Sequence, residues 1–557
     1  MPNLETQDRP VEPPLLVDDA DGTDWQVETD VLVVGLGGAG VCAAIEAREK
    51  GCDVVAMDRF SGGGATRFSG GVVYAGGGTS IQKEAGVEDT PEDMARYLAL
   101  EVGDAVSPQL LRRYCEGSRA ELEWLMAHGV PFDSTFYKEK IVYPPEGYFL
   151  QYSGNEKAPA FASVARPAAR GHRTVGQGFS GYAFFDALRA TAERLGVRIV
   201  KHSPVTRLVM DRAGRVVGVE ARILDQRWHG LHQKLYGKVS PMAPFNAGPA
   251  ARSARESGKI EDIHGKTVMI RARRGVILST GGFSHNNNML MEHVPLVARH
   301  VAATMRMASL GCNGSGHRLG LSAGAQAKGL NHIYLGRVMA PPAPYIRGMM
   351  VNRRGERFAS EDAYNSILGG AILAQDHGEA WLILNARDLR AAIKECLLSG
   401  WATFRYFGGA AILNLLFGGT KRARSIAGLA RKCGMETQTL ERAVASYNAT
   451  LTGGDEFGKL PENKVPLQGK AYYALNFSIG NKFAFSQLFT IGGLSVNEDS
   501  GLVLRPDGRP IEGLYAAGRT AFGLCSNQYV SGLSIGDCVF SGRRAARHCA
   551  GGEEESR

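Results

Sequence analysis

Between residues 30 and 58 the chain moves from an apolar run to a glycine-rich turn, a helix-like stretch and a second apolar run ending in an acid. Asp30-Val31-Leu32-Val33-Val34 leads directly into Gly35-Leu36-Gly37-Gly38-Ala39-Gly40. Residues 41–50 then read as a helix, and residues 53–57 as a strand that stops at Asp58. This strand–turn–helix–strand order is that of a dinucleotide-binding unit. Gly35 allows the tight turn, Gly37 lets backbone approach a pyrophosphate, and Gly40 lets helix and strand pack closely. Free N–H groups and the positive dipole end at the helix start favour phosphate. Asp58 stands where an acid accepts hydrogen bonds from a ribose hydroxyl. A Gly-rich turn of an ordinary α/β protein would not account for Asp58.

The downstream glycines decide which dinucleotide. Residues 61–78, SGGGATRFSGGVVYAGGG, stay small and flexible where an NAD domain would proceed to its next helix. Such a loop suits backbone laid along an extended cofactor. Further glycine segments recur far away: Ser279-Thr280-Gly281-Gly282-Phe283, Thr490-Ile491-Gly492-Gly493-Leu494, Gly518-Arg519 and Ser531-Gly532-Leu533-Ser534. Glycine is 71 of 557 residues, and much of the excess falls in these loops. A cofactor touched from both ends of the chain is long and buried, which fits FAD better than NAD. The cofactor-binding candidates are Gly35, Gly37, Gly38, Ala39, Gly40, Asp58, Arg59, Gly63, Gly64, Thr66, Ser69, Gly70, Gly71, Val205, Thr280, Gly281, Gly282, Gly518, Arg519, Gly532, Leu533 and Ser534.

These motifs, in this order, resemble the fumarate reductase/succinate dehydrogenase flavoprotein family, which includes the 3-ketosteroid dehydrogenases. GLGGAG with Asp58, SGGGATRFSGG, STGGFS, VNRRGERFASEDAY, TIGGL, GLYAAGR and SGLSIGDCVFSGRRAA carry the likeness. It runs from residue 29 to about 548. The fold class it implies is α/β, a Rossmann-like FAD-binding domain with an inserted α+β substrate-capping domain. Residues 26–335 and 470–557 form the first, residues 336–469 the second, and residues 1–25 a flexible lead-in. Substrate would lie between the domains, an ordinary place for a ligand cleft. Within the insert, Gly348 to Gly355 reads as a strand and tight turn. Residues 437–451 read as a helix with Leu440, Val444 and Tyr447 on one face and Thr437 as N-cap.

Chemistry centres on Tyr529 and Ser531, just before an apparent helix over residues 533–547. Its N-terminus should point at the flavin edge where negative charge grows on reduction. The resemblance sharpens this. In 3-ketosteroid Δ4-(5α)-dehydrogenases a Tyr-x-Ser-Gly segment precedes this helix and a further catalytic tyrosine lies in the cap. The matching positions are Tyr529, Ser531 and Tyr364. The implied reaction moves hydride from C5 to flavin N5, with Tyr529 and Ser531 serving proton abstraction from C4 and Tyr364 supporting that relay or the carbonyl. A free tyrosine has a pKa near 10, so a base role needs tuning.

Departures from the family pattern narrow the substrate. Fumarate reductases carry a His-Pro-Thr element and a His-Gly-x-Asn-Arg segment whose cations grip two carboxylates. Here those stretches read Asn331-His332-Ile333-Tyr334 and Cys525-Ser526-Asn527-Gln528-Tyr529. A dicarboxylate would lose its clamp. Arg357 is present, with a structural or a proton-path role open to it. A 3-ketosteroid Δ1-dehydrogenase, or an ene-reductase acting on another enone, is the alternative. No histidine stands in SGGGATRFSGG for covalent attachment, so FAD is expected to be non-covalent.

Net charge is +8 and no basic stripe with stacking aromatics dominates, which argues against nucleic acid. The nine cysteines form no CxxC pair and no metal-ligand spacing, so no metal is expected and electrons leave to an external acceptor. The N-terminus lacks an apolar signal segment, and a cytoplasmic setting is expected. Two stretches stand apart. Residues 222–259 are an insertion rich in Arg and Lys with Trp228, Leu231, Leu235, Tyr236 and Phe245 interspersed. Residues 401–418 are strongly apolar but shorter than the ~20 residues of a membrane span. The plain reading is a solvated loop and a buried cap segment. The sharper one is a peripheral membrane contact through which an apolar substrate enters.

Overall fold

The computed structural model describes residues 11–139, 143–241, 246–337, 339–398, 400, 404–484 and 486–551. Its main sheet has nine strands. The strand Val27–Val34 is parallel to Val54–Met57 on one side, and that strand is parallel to Arg198–Val200. On the other side lies the 14-residue strand Gly265–Leu278. Residues 31–34 and 54–57 are almost wholly buried, so their continuous apolar runs match a sheet covered on both faces. The helix Gly38–Glu49 covers one face, and the helix Leu533–Cys549 packs on it.

Gly265–Leu278 changes partners along its length. Its first half is antiparallel to Val216–Leu224, which is in turn antiparallel to Val205–Asp211. Its last three residues run parallel to residues 514–516 of the strand Pro510–Ala516. A register shift between Ala272 and Gly275 marks the change. One strand thereby joins the parallel sheet to an antiparallel meander.

A separate antiparallel sheet is formed by Met349–Val351, Trp381–Asn385, Tyr472–Asn476 and Lys421–Ala423. Gly355, at φ +91°, makes the turn after Met349–Val351. The expected helix runs Thr437–Ala449 with Leu440, Val444 and Tyr447 buried. Its N-cap is Glu436 rather than Thr437, and no side chain caps it. A third, short sheet of Thr304–Arg306, Ser486–Thr490 and Ile333–Gly336 lies over the central cavity.

Three expectations need correction. The stretch 222–259 is no solvated loop: it contains the helix Gln226–Gly237 and part of Ala247–His264, packed on each other. Leu235, Tyr236 and Ala250 are buried and form a core-facing side, whereas Trp228 is half-buried and Leu231 exposed; Phe245 lies outside the described residues. The lead-in is docked over its described part: Leu15–Val17 is a strand parallel to Val205–Asp211. The apolar stretch 401–418 is not simply buried. In the helix Gly409–Phe417, Leu416 is 65% and Phe417 62% exposed; residues 401–403 lie outside the described residues. No described helix is long and apolar enough to cross a membrane.

Candidate functional site

One cavity of about 410 Å³ runs from Asp58 and Val205 past the glycine turn to Tyr529 and the start of the helix Leu533–Cys549. At its first end the backbone is the wall. Gly35 has φ +98°, and a Cβ there would sit 2.7 Å from the Ser279 carbonyl oxygen. A Cβ on Gly40 would sit 2.0 Å from the Gly35 carbonyl oxygen, so only glycine lets helix and turn meet. At Gly37 nothing lies within 4 Å of that position, which opens onto the cavity. The Gly38 N–H donates to Thr66 Oγ1 at 3.2 Å, tying the second glycine loop to the helix start.

Asp58 accepts the Leu36 N–H at 2.9 Å and the Phe60 N–H at 2.8 Å. Burial pushes its carboxyl above the usual range, and those N–H groups oppose the shift. The Gly62 N–H also bonds this carboxyl, and of its four lone-pair positions one remains for a hydroxyl from the cavity. Arg59 also lines the cavity, but its guanidinium forms a bidentate pair with buried Glu261 at 2.8 and 3.2 Å. Glu261 also accepts from His232. The helical insertion therefore reaches this end of the cavity, through Glu261 and Tyr236.

Of the remaining cofactor candidates, Ala39, Gly64, Ser69, Gly70, Thr280, Gly281, Gly518, Gly532 and Ser534 line the cavity. Gly40, Gly63, Gly71, Gly282 and Leu533 do not. A Cβ on Gly71 would meet Thr174 Oγ1 at 2.3 Å, and one on Gly282 would meet Thr490 Oγ1 at 2.3 Å. Those two glycines serve packing. Arg519 lines the cavity with Nη1 buried and without a hydrogen-bond partner among the described residues. A long cavity with an open glycine cradle, an acid at one end and an unsatisfied guanidinium donor fits FAD.

The opposite end is made of side chains. Tyr529 packs edge-on against Phe489 at 5.0 Å and Tyr334 at 5.2 Å, and those two rings stack at 4.5 Å. The Gly532 N–H donates to Tyr529 Oη at 3.2 Å. Burial pushes the Tyr529 phenol up to about 12, while the Gly532 N–H pulls the other way by stabilising phenolate. Tyr364 is buried and hydrogen-bonded to Ser531. Burial, together with the neighbouring phenols of Tyr334 and Tyr529, holds it well above 10; the Ser531 bond offsets part of that. The Tyr364 N–H donates to Asn155 Oδ1, and Asn155 Nδ2 donates to buried Glu101. Tyr529, Ser531 and Tyr364 thus share one cavity wall although the outer two, Tyr364 and Ser531, stand 167 positions apart in sequence.

Sequence reasoning gave Tyr334 no role, although it lines the cavity beside Tyr529 with its hydroxyl on Gln487 at 3.0 Å. Its only signal was a tyrosine in the stretch that departs from the fumarate reductase pattern. Arg357 is held by Glu361 at 3.0 Å and Asp455 at 2.6 Å and does not line the cavity.

The profile of the FAD binding domain family matches residues 30–532. A 3-oxo-5-alpha-steroid 4-dehydrogenase of Comamonas testosteroni is 36% identical over 519 residues, covering 91% of this chain and 96% of that protein. A 3-oxosteroid 1-dehydrogenase of Mycobacterium tuberculosis is 25% identical, over 94% and 98% of the two chains. The crystal structure of 3-ketosteroid-delta4-(5alpha)-dehydrogenase from Rhodococcus jostii RHA1, in complex with 4-androstene-3,17-dione, superimposes with a TM-score of 0.79 at 32% identity, covering 97% of this chain and 100% of that one.

Proposed function

This chain belongs to the FAD binding domain family and is an FAD-dependent oxidoreductase; we propose that it desaturates a 3-ketosteroid between C4 and C5. The observation that carries the reading is the placement of Tyr529, Ser531 and Tyr364 on one wall, beside the N-terminus of the helix Leu533–Cys549. FAD, held non-covalently in the glycine cradle, supplies the hydride acceptor. The residues then divide the work. Tyr529, as phenolate, takes the proton from C4 and becomes neutral; before transfer its negative charge is met by the Gly532 N–H and the Arg519 charge. Ser531 and Tyr364, joined by their hydrogen bond, hold the substrate and carry the proton relay. Phe489 and Tyr334 fix the Tyr529 ring and supply apolar walls for a steroid face.

The apolar substrate enters beside the helix Gly409–Phe417, where Phe407, Ala410 and Leu413 line the cavity and Leu413, Leu416 and Phe417 face solvent. Exposed Arg422, Arg424 and Lys482 adjoin that helix, a composition suited to an anionic membrane surface. Failure to co-sediment with anionic vesicles at low salt would remove the membrane part. Electrons leave to an external acceptor, assayed as reduction of an added dye.

The test is anaerobic. A saturated 5α-3-ketosteroid is added to the holoenzyme while flavin absorbance is followed. Rapid bleaching with a 4-ene product upholds the reading. A 1-ene product moves the chemistry to ring position C1–C2, and an unchanged spectrum removes the steroid.

A further inference from the structure

Arg337 follows the strand Ile333–Gly336 and is 2% exposed. Its Nε, Nη1 and Nη2 all lack a hydrogen-bond partner among the described residues. Other deeply buried arginines are treated differently. Arg170 pairs with Asp89 at 2.7 Å, and Arg543 pairs with Glu46 at 2.6 Å. The guanidinium carbon lies 5.7 Å from the Phe477 ring centroid, a contact that leaves its N–H groups unsatisfied. A buried guanidinium without a hydrogen-bonding protein partner is costly in general, so such a position suits a ligand that supplies one.

The guanidinium faces a side cavity of about 70 Å³. Tyr345, Phe477, Phe483 and the two prolines Pro341 and Pro342 give it apolar walls, and among the described residues no acidic one lines it. Met305, Phe407, Ala410, Phe483 and Gln487 line this space and the main cavity alike, so the one branches from the other. Gln487 and Phe489 stand on one face of the strand Ser486–Thr490, about 7 Å apart at ordinary strand rise. Phe489 touches the Tyr529 ring, which sets the side cavity off from the reacting end. Burial lowers the Arg337 pKa to about 9, so the group is still cationic at neutral pH.

We propose that Arg337 is a specificity-determining residue that binds a carboxylate at the end of the substrate remote from the reacting ketone. The proposal rests on the reading of a 3-ketosteroid at Tyr529. A carboxylate neutralises the charge and matches the planar fork of a guanidinium with two parallel hydrogen bonds. A neutral ketone or hydroxyl would fill the space and leave the charge uncompensated.

The experiment compares two 3-ketosteroids that differ only at the end of the C17 side chain, one a carboxylic acid and the other its methyl ester. Dissociation constants are measured by equilibrium dialysis with FAD-loaded wild type, Arg337→Met and Arg337→Lys, and flavin bleaching is followed separately. Wild type should bind the acid about 10- to 100-fold more tightly than the ester, as expected for a charged hydrogen-bonded pair. Arg337→Met should bring that ratio to about 1 with the ester unaffected, and Arg337→Lys should retain part of it. Equal binding of acid and ester by wild type, or equal weakening of both in Arg337→Met, overturns the proposal. Bleaching by neither steroid strikes the desaturase reading alone, because the ratio of dissociation constants still decides the role of Arg337.

Discussion

The two ends of the cavity are built on opposite principles. At the Asp58 end the wall is backbone: Gly35 and Gly40 let main chain approach main chain, and Gly37 opens onto the cavity. At the Tyr529 end the wall is a cluster of four large side chains brought from residues 334, 364, 489 and 529. The first arrangement tolerates no added atom at its packing points. The second depends on hydroxyls and ring faces, and loses function before it loses structure.

The sharpest way to break the comparison lies within the glycines themselves. Gly40→Val should abolish folding, because its Cβ would collide with the Gly35 carbonyl; the readout is soluble yield and the far-UV thermal transition. Gly37→Ala meets no protein atom within 4 Å. It should leave the apoprotein melting temperature unchanged and weaken FAD binding by about tenfold or more, measured by flavin fluorescence on titration. Equal effects of the two substitutions would show that both glycines serve packing.

At the other end, Tyr529→Phe should keep its flavin and lose about 10²- to 10⁴-fold in the rate of flavin bleaching. The wild-type rate should rise with pH from 7 toward 10, since the base form is phenolate and the folded pKa lies near 12. That rise should be absent in the variant.

Smaller effects concern stability and sharpen the contrast from outside the cavity walls. Burial holds His172, His285 and His317 neutral, with pKa values lowered to about 4, about 3 and about 4. Unfolded histidines take up protons near pH 6.5. Between about pH 6.5 and 4 the unfolded chain therefore binds more protons, and stability falls as pH falls. Each group contributes up to about 1.4 kcal/mol per pH unit in that window. Denaturant melts at pH 7.5, 6 and 5 measure the slope, and His285→Gln should reduce it if the variant folds.

The backbone-built end was legible in the sequence because its parts are local. Residues 30–58 carry strand, turn, helix and acid within one stretch, and each glycine has a geometric reason that needs no partner. Tyr529 and Ser531 were legible through their position before a recognisable helix. The role of Tyr334 was not, since its strand Ile333–Gly336 is four residues long and pairs with Ser486–Thr490 about 150 residues away. Nothing in the neighbourhood of Tyr334 announces that pairing. The insertion 222–259 misled for a related reason. Its many charges suggested solvent, whereas two amphipathic helices bury Tyr236 and Ala250 in one cluster with Phe60. Arg337 is invisible to any local pattern, because its meaning lies in what does not surround it.

The contact between the helices Gly38–Glu49 and Leu533–Cys549 sets an order of events during synthesis. A Cβ on Gly542 would lie 2.4 Å from the Ala39 carbonyl oxygen, so the two helices touch at their backbones. The glycine turn at residues 35–40 is translated about 490 residues before the helix Leu533–Cys549 that closes on it. A nascent chain cannot retain FAD in a finished pocket until residue 549 is available. Cofactor loading thereby reports that translation has passed that point, and a prematurely terminated chain would present an open, apolar groove to the cell's proteases.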